Sequence, residues 1–272
     1  MSHRHLHPHT LYKALGLLLA LAAQAGGQAR RPLTFLDGQM MRQAGGPTLS
    51  PDGRFVLYTL SVPDWKEARR QSDIYLVSTQ QGLPSTRQLT FTKDKSETSP
   101  QWSRDGSFFL FLSDRDASGA APAAAAGPGA GAGGSRNQLY YMRPDGGEAR
   151  KITDARDGVA SFAFSKNGRV VVYLSGKTNE QQLHAIAVSD LTGETPKATQ
   201  LSKHATGIAT WRFSPDDKTI YFTSPDTVDK DERTRMEKKF DVRIRNPETP
   251  VSSLWALDVA TKQERRLTRD TS

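Results

Sequence analysis

One pattern, written four times, limits what this chain can become. It reads 46-GPTLSPDGRFVLYTLS-61, 99-SPQWSRDGSFFLFLS-113, 161-SFAFSKNGRVVVYLS-175 and 210-TWRFSPDDKTIYFTS-224. Each copy is a short apolar run, a tight polar turn and a second apolar run that ends on a small polar residue. Internal repetition at this scale takes precedence over any isolated motif, because each repeat is one supersecondary unit that must bury its faces against its neighbours. The turn serines Ser50, Ser103, Ser165 and Ser214 stand 53, 62 and 49 residues apart. Propeller blades recur at about 40–50 residues.

The turn chemistry follows from backbone sterics. In Ser50-Pro51-Asp52-Gly53, proline presets φ for the second position of a type I turn. Asp52 suits the third position, and Gly53 takes the left-handed conformation that closes a bulged hairpin. Asp105 and Gly106 repeat these roles, as do Asn167 and Gly168. The fourth copy carries Asp216 and then Asp217 where glycine is expected; aspartate tolerates positive φ better than most residues.

After each turn comes a strand that is apolar at nearly every position: FVLYTL (55–60), FFLFL (108–112), VVVYL (170–174) and TIYFT (219–223). A strand covered on one face alternates, whereas one covered on both does not. Third strands are expected at 73–78, 137–142, 182–189 and 253–259, and short fourth strands at 87–90, 150–153, 199–202 and 265–268. Four strands written four times define an all-β propeller fragment with four-stranded antiparallel blades at about 46–92, 97–154, 159–203 and 208–269.

Two insertions interrupt the blades. Residues 117–135 are an Ala/Gly/Pro run with neither apolar bulk nor charge to anchor it. Residues 225–250 are charged and end in 240-FDVRIR-245, where Phe240, Val242 and Ile244 alternate with Asp241, Arg243 and Arg245. Arg243 and Arg245 are candidate substrate contacts, since guanidinium pairs bidentately with a carboxylate. The competing role is a charged edge strand that resists aggregation.

Residues 1–25 read as a signal peptide. Arg4 and Lys13 give a basic start, Ala14–Ala23 an apolar core, and Ala23-Gln24-Ala25 a cleavage pattern. The apolar run is about half the ~20 residues a membrane-spanning helix needs, so no stable span is expected. His3, His5, His7 and His9 fall inside this leader. Residues 26–45 form an arm with a short helical turn expected from Phe35 to Met41. An exported protein, periplasmic or extracellular, is the expectation.

Composition narrows the chemistry. There is no cysteine, which excludes thiolate catalysis, cysteine-ligated zinc and disulfides. The net charge of +8 is scattered along the chain and gives no basic patch for nucleic acid. No cofactor or metal is expected. Beyond the leader the histidines are His184 and His204, and no serine has glycine two residues before and two after it. Both histidines read as structural. A metal-dependent propeller lactonase would need carboxylates converging on one cation, but the aspartates here fall mostly in turns.

Tandem SPDG-type blades behind an export signal resemble the propeller repeats of TolB and of prolyl-oligopeptidase-type serine peptidases. The entry 37-DGQMMRQAGGPTLSPDGRFVLYTLS-61 and the charged insertion running into VRIRNPETPVSSLWALDV are similar to the dipeptidyl-peptidase and acylaminoacyl-peptidase branch. The resemblance implies a ring of seven or eight blades that admits short peptides to a C-terminal α/β-hydrolase domain. That domain and the further blades are the expected partners, making this chain the N-terminal, non-catalytic part of a longer peptidase with no catalytic residues of its own. The alternative is a TolB-like periplasmic scaffold without enzymatic activity.

Overall fold

The computed structural model describes residues 31–115, 137–193, 196–227, 234, 238 and 251–268. Residues 1–25, read above as a signal peptide, the whole insertion at 117–135 and the segment carrying Arg243 and Arg245 lie outside them. The chain divides into two compact units, Met1–Met41 and Arg42–Ser272. In the first, helix α1 (Phe35–Met40) is started by a capping box. The Asp37 N–H donates to Thr34 Oγ1 and the Thr34 N–H to Asp37 Oδ2, satisfying two amides that a helix start leaves orphaned.

The second unit is built from four antiparallel sheets, each with its strands in chain order. Blade 1 holds β1 (Gln43–Leu49), β2 (Phe55–Asp64), β3 (Arg69–Ser78) and β4 (Gly82–Gln88). Blade 2 holds β5 (Glu97–Trp102), β6 (Phe109–Ser113), β7 (Gln138–Met142) and β8 (Arg150–Lys151). Blade 3 holds β9 (Val159–Phe164), β10 (Val170–Ser175), β11 (Gln182–Ala187) and β12 (Ala198–Gln200). Blade 4 holds β13 (Thr210–Phe213), β14 (Thr219–Pro225), β15 (Ser252–Asp258) and β16 (Glu264–Arg266). The all-β propeller architecture expected from the repeats is the one observed.

Stacking explains the continuous apolar strands. Side chains alternate across a sheet, so one strand feeds two seams. In blade 2, Phe109 and Phe111 join Leu57, Ile74 and Leu76 of blade 1. Their neighbours Leu110 and Leu112 join Val171, Tyr173 and Ile186 of blade 3. Blade 3 repeats the division, with Val172 and Leu174 turned toward Trp211, Ile220 and Phe222 of blade 4. Leu110, Phe111, Val172 and Ile220 have no exposed surface. Among the described residues nothing covers the other face of the fourth blade equally, and Tyr221 and Leu254 there are 41% and 37% exposed.

The fourth strands end earlier than the sequence suggests, because their last residues clasp instead of pairing. Thr90 Oγ1 accepts the Ile74 N–H and donates to Asp73. Thr153 does the same with Leu139 and Gln138, and Ser202 with Leu183 and Gln182. In blade 4, Thr268 Oγ1 accepts the Leu254 N–H at 3.0 Å. The hydroxyl that closes each RQLT, RKIT, TQLS or RRLT segment thus ties strand four to strand three.

Candidate functional site

The four turns sit at one end of the blades and share one hydrogen-bond scheme. The Gly53 N–H donates to the Ser50 carbonyl, and the Ser50 N–H donates to the Phe55 carbonyl. Ser50 Oγ is the hub: it donates to Asp52 Oδ1 at 2.6 Å and accepts the Phe55 N–H at 2.9 Å. Ser103 with Asp105, Ser165 with Asn167, and Ser214 with Asp216 repeat that arrangement. All four serines are buried. The serine hydroxyl and a backbone N–H two residues on hold Asp52, Asp105 and Asp216 below the usual carboxylate range. Gly53, Gly106, Gly168 and Asp217 occupy the left-handed region at φ 72°, 72°, 73° and 61°.

Neighbouring turns also touch, each pressing its second residue on the fourth residue of the next. Pro51 lies 3.4 Å from where a Cβ on Gly106 would stand, and Arg104 Cβ only 2.7 Å from the equivalent point on Gly168. Arg104 also donates to the Lys166 carbonyl. At the third junction Asp217 accepts the N–H groups of Lys166 and Asn167 at 2.7 and 2.8 Å. The aspartate that stands in the sequence where glycine is expected therefore receives two hydrogen bonds from the preceding blade.

Beside these turns lies a groove of about 660 Å³ where the first strands of blades 1 to 3 end. Thr48 and Leu49 of β1, Gln101 and Trp102 of β5, Phe164 of β9, and Pro51 and Arg104 of the turns line it. Two side chains set its width. Trp102 Nε1 donates to the Thr48 carbonyl at 3.1 Å, and Gln101 Nε2 donates to the Phe162 carbonyl at 3.0 Å. The middle strand is thereby stapled to both neighbours. With Leu49 57% exposed and Arg104 among its lining residues, the groove combines apolar surface with a cationic side chain.

The histidines are placed in packing. His184 stacks on Tyr173 with centroids 5.2 Å apart, and burial pushes its imidazole pKa down. His204 Nδ1 lies 2.6 Å from Glu264 Oε2, while its ring meets Phe222 and Trp255 edge-on. Sequence reasoning missed Glu264 as the acid orienting His204, since 60 residues separate them. Among the described residues no group of three His, Asp or Glu side chains converges to hold a metal ion. No helix among them is long and apolar enough to cross a membrane.

Stacked four-stranded blades joined at a turn face, with a groove along their first strands, define a propeller segment. No family model matches the chain. It is 31% identical over 128 residues to the uncharacterized peptidase YuxL of Bacillus subtilis, and 24% identical over 133 residues to dipeptidyl-peptidase 5 of Porphyromonas endodontalis. These matches cover 46% and 49% of this chain and 16% of each relative's length. A puromycin-hydrolyzing peptidase of Mycobacterium tuberculosis superposes with a TM-score of 0.53 at 14% identity, over 84% of this chain and 29% of that one. The chain matches the β-propeller portion of prolyl-oligopeptidase-type peptidases.

Proposed function

We propose that this chain is the substrate-gating propeller part of an exported serine peptidase that cleaves short peptides. The catalytic α/β-hydrolase domain and the further blades are supplied by polypeptide outside these 272 residues. The observation that carries this reading is the 31% identity to a peptidase across 128 residues, 46% of this chain. The groove along the first strands supports it. A groove beside strand ends held together by Trp102 and Gln101 is suited to an extended chain. Arg243 and Arg245 are the proposed carboxylate contacts of the insertion in blade 4.

The test is a paired hydrolysis assay. The chain alone releases no product from dipeptidyl or acylaminoacyl chromogenic substrates. The product of the gene's uninterrupted reading frame, extended through a Gly-x-Ser-x-Gly segment, does. Burst kinetics from the chain alone overturns the reading. A native stop codon directly after Ser272 favours the TolB-like scaffold instead.

A further inference from the structure

The seam between blades 1 and 2 departs from the other two at one spot. The residue six positions before the turn serine is Val159 in blade 3 and Ile208 in blade 4, both in the apolar seams. In blade 2 that residue is Glu97, which has no exposed surface. The residue that partners the fourth-strand hydroxyl is Gln138 in blade 2 and Gln182 in blade 3. In blade 1 it is Asp73, 8% exposed. Two carboxyls thus meet at positions the repeat otherwise fills with neutral side chains.

Among the described residues, one cation bonds this pair directly. Glu97 Oε1 accepts from Arg115 Nη2 at 3.0 Å and from Ser113 Oγ at 3.1 Å. Arg115 is held over the rings of Tyr140 and Phe111, its Cζ 4.7 and 5.5 Å from their centroids. Glu97 Oε2 is buried with no hydrogen-bond donor assigned to it, and Asp73 and Thr92 are within interaction range. Asp73 receives neutral donors, Gln71 Nε2 at 3.3 Å and Thr90 Oγ1 at 3.3 Å. Among the described residues, the charged or titratable groups near this end include Tyr75 with Arg42 beside it, the Arg69–Asp94 ion pair at 2.8 Å, Lys95 two residues before Glu97, and Asp114, which accepts the Ser96 N–H at 2.8 Å.

Two ionised carboxylates against one guanidinium would leave a buried net negative charge, which a low-dielectric seam penalises heavily. A proton on one carboxyl removes that charge and gives Glu97 Oε2 its missing hydrogen-bond partner. We propose that Asp73 and Glu97 share one proton in the folded protein, and that this carboxyl pair with Arg115 forms a pH-sensitive latch across blades 1 and 2. Burial also pushes both carboxyls above their ordinary values, which agrees with this arrangement.

The sign follows from linkage. A carboxyl whose pKa is raised on folding binds its proton more tightly in the folded state. Its contribution is fully present below the unfolded value of about 4.3 and is lost as the pH rises through the folded value. At the steepest part of that window the folding constant falls by up to about tenfold per pH unit for one proton.

Urea unfolding of the full 272-residue chain, from about pH 4 to about pH 8, reads this directly. The wild-type midpoint falls with rising pH, and the profiles of Glu97→Gln and Asp73→Asn are flatter. Infrared spectroscopy of the folded wild type at neutral pH shows a protonated-carboxyl band that either variant loses. If one variant does not fold, the other and the wild-type band decide. Parallel pH profiles for wild type and variants, or a missing band, overturn the proposal. So does a calcium-dependent rise in the wild-type midpoint that Glu97→Gln abolishes, because the site would then hold a cation in place of the proton.

Discussion

Truncating Leu110 and Tyr221 to alanine in separate chains compares one repeat position in two settings. Both stand seven residues after their turn serine and on the same strand of their blades. Leu110 is fully buried in the seam with blade 3, whereas Tyr221 is 41% exposed on the last blade. Leu110→Ala removes three carbons, worth roughly 2.5 kcal/mol of transfer free energy, and leaves a cavity that adds to it. A loss of about 3–4 kcal/mol is expected. Tyr221→Ala vacates space that solvent already reaches, so about 1 kcal/mol is expected despite the larger side chain. With a urea slope of about 3 kcal/mol per molar, the two midpoints separate by nearly 1 M. Tryptophan fluorescence reads both transitions, because Trp102, Trp211 and Trp255 lie in or beside the seams. Equal losses for the two variants would refute the reasoning, since blade 4 would then be covered at Tyr221 as blade 2 is at Leu110.

Asp217→Ala removes two acceptors for inter-blade N–H groups and leaves a Cβ residue at φ 61° without them. A loss of about 2–3 kcal/mol is expected by urea unfolding, and Asp217→Gly recovers only the backbone part. Asp52, Asp105 and Asp216 have depressed pKa values, so the stability they contribute is present above the ordinary aspartate value and lost as pH falls through their folded values. An Asp105→Asn chain, which copies Asn167, should therefore lose less of its urea midpoint between neutral and strongly acidic pH than wild type does. Glu264→Gln weakens the clasp on His204 at the seam of blades 3 and 4. The emission of Trp255, 4.5 Å from that imidazole by ring centroids, should shift while that of a Gln88→Ala control does not.

Much of this architecture is legible in the chain because the turn residues report local sterics and the strand residues report burial. SPDG names a turn, and FFLFL names a strand pressed on two sides, so Phe109 and Leu110 already imply two seams. The ends of strands were less readable. Thr90 and Thr153 favour extended backbone, yet at these positions their hydroxyls, in place of their carbonyls, accept the strand-three N–H groups. The candidate groove depends on Trp102 and Gln101 reaching carbonyls of other blades, 54 and 61 residues distant. Such pairings leave no periodic trace. Glu97 was hidden for another reason: it stands where the repeat normally writes an aliphatic residue, and a single acid near a turn reads as exposed. Asp217 was noticed as an exception, but its partners Lys166 and Asn167 belong to another blade.

The contact between successive turns gives the repeats an order that their shared motif conceals. Arg104 occupies the space any side chain at 168 would need, so that junction accepts glycine alone. The next junction depends instead on an acid at 217 to receive amides. At Gly53 the surrounding space is open. Each blade is thus keyed to the one before it, and the four copies are not interchangeable parts. Exchanging blades 3 and 4 by recombination would set Asp217 against Arg104 and Gly168 against Pro215, a collision in one place and a lost acceptor in the other. The copies share a motif, but their differences at two turn positions set the order in which they fit.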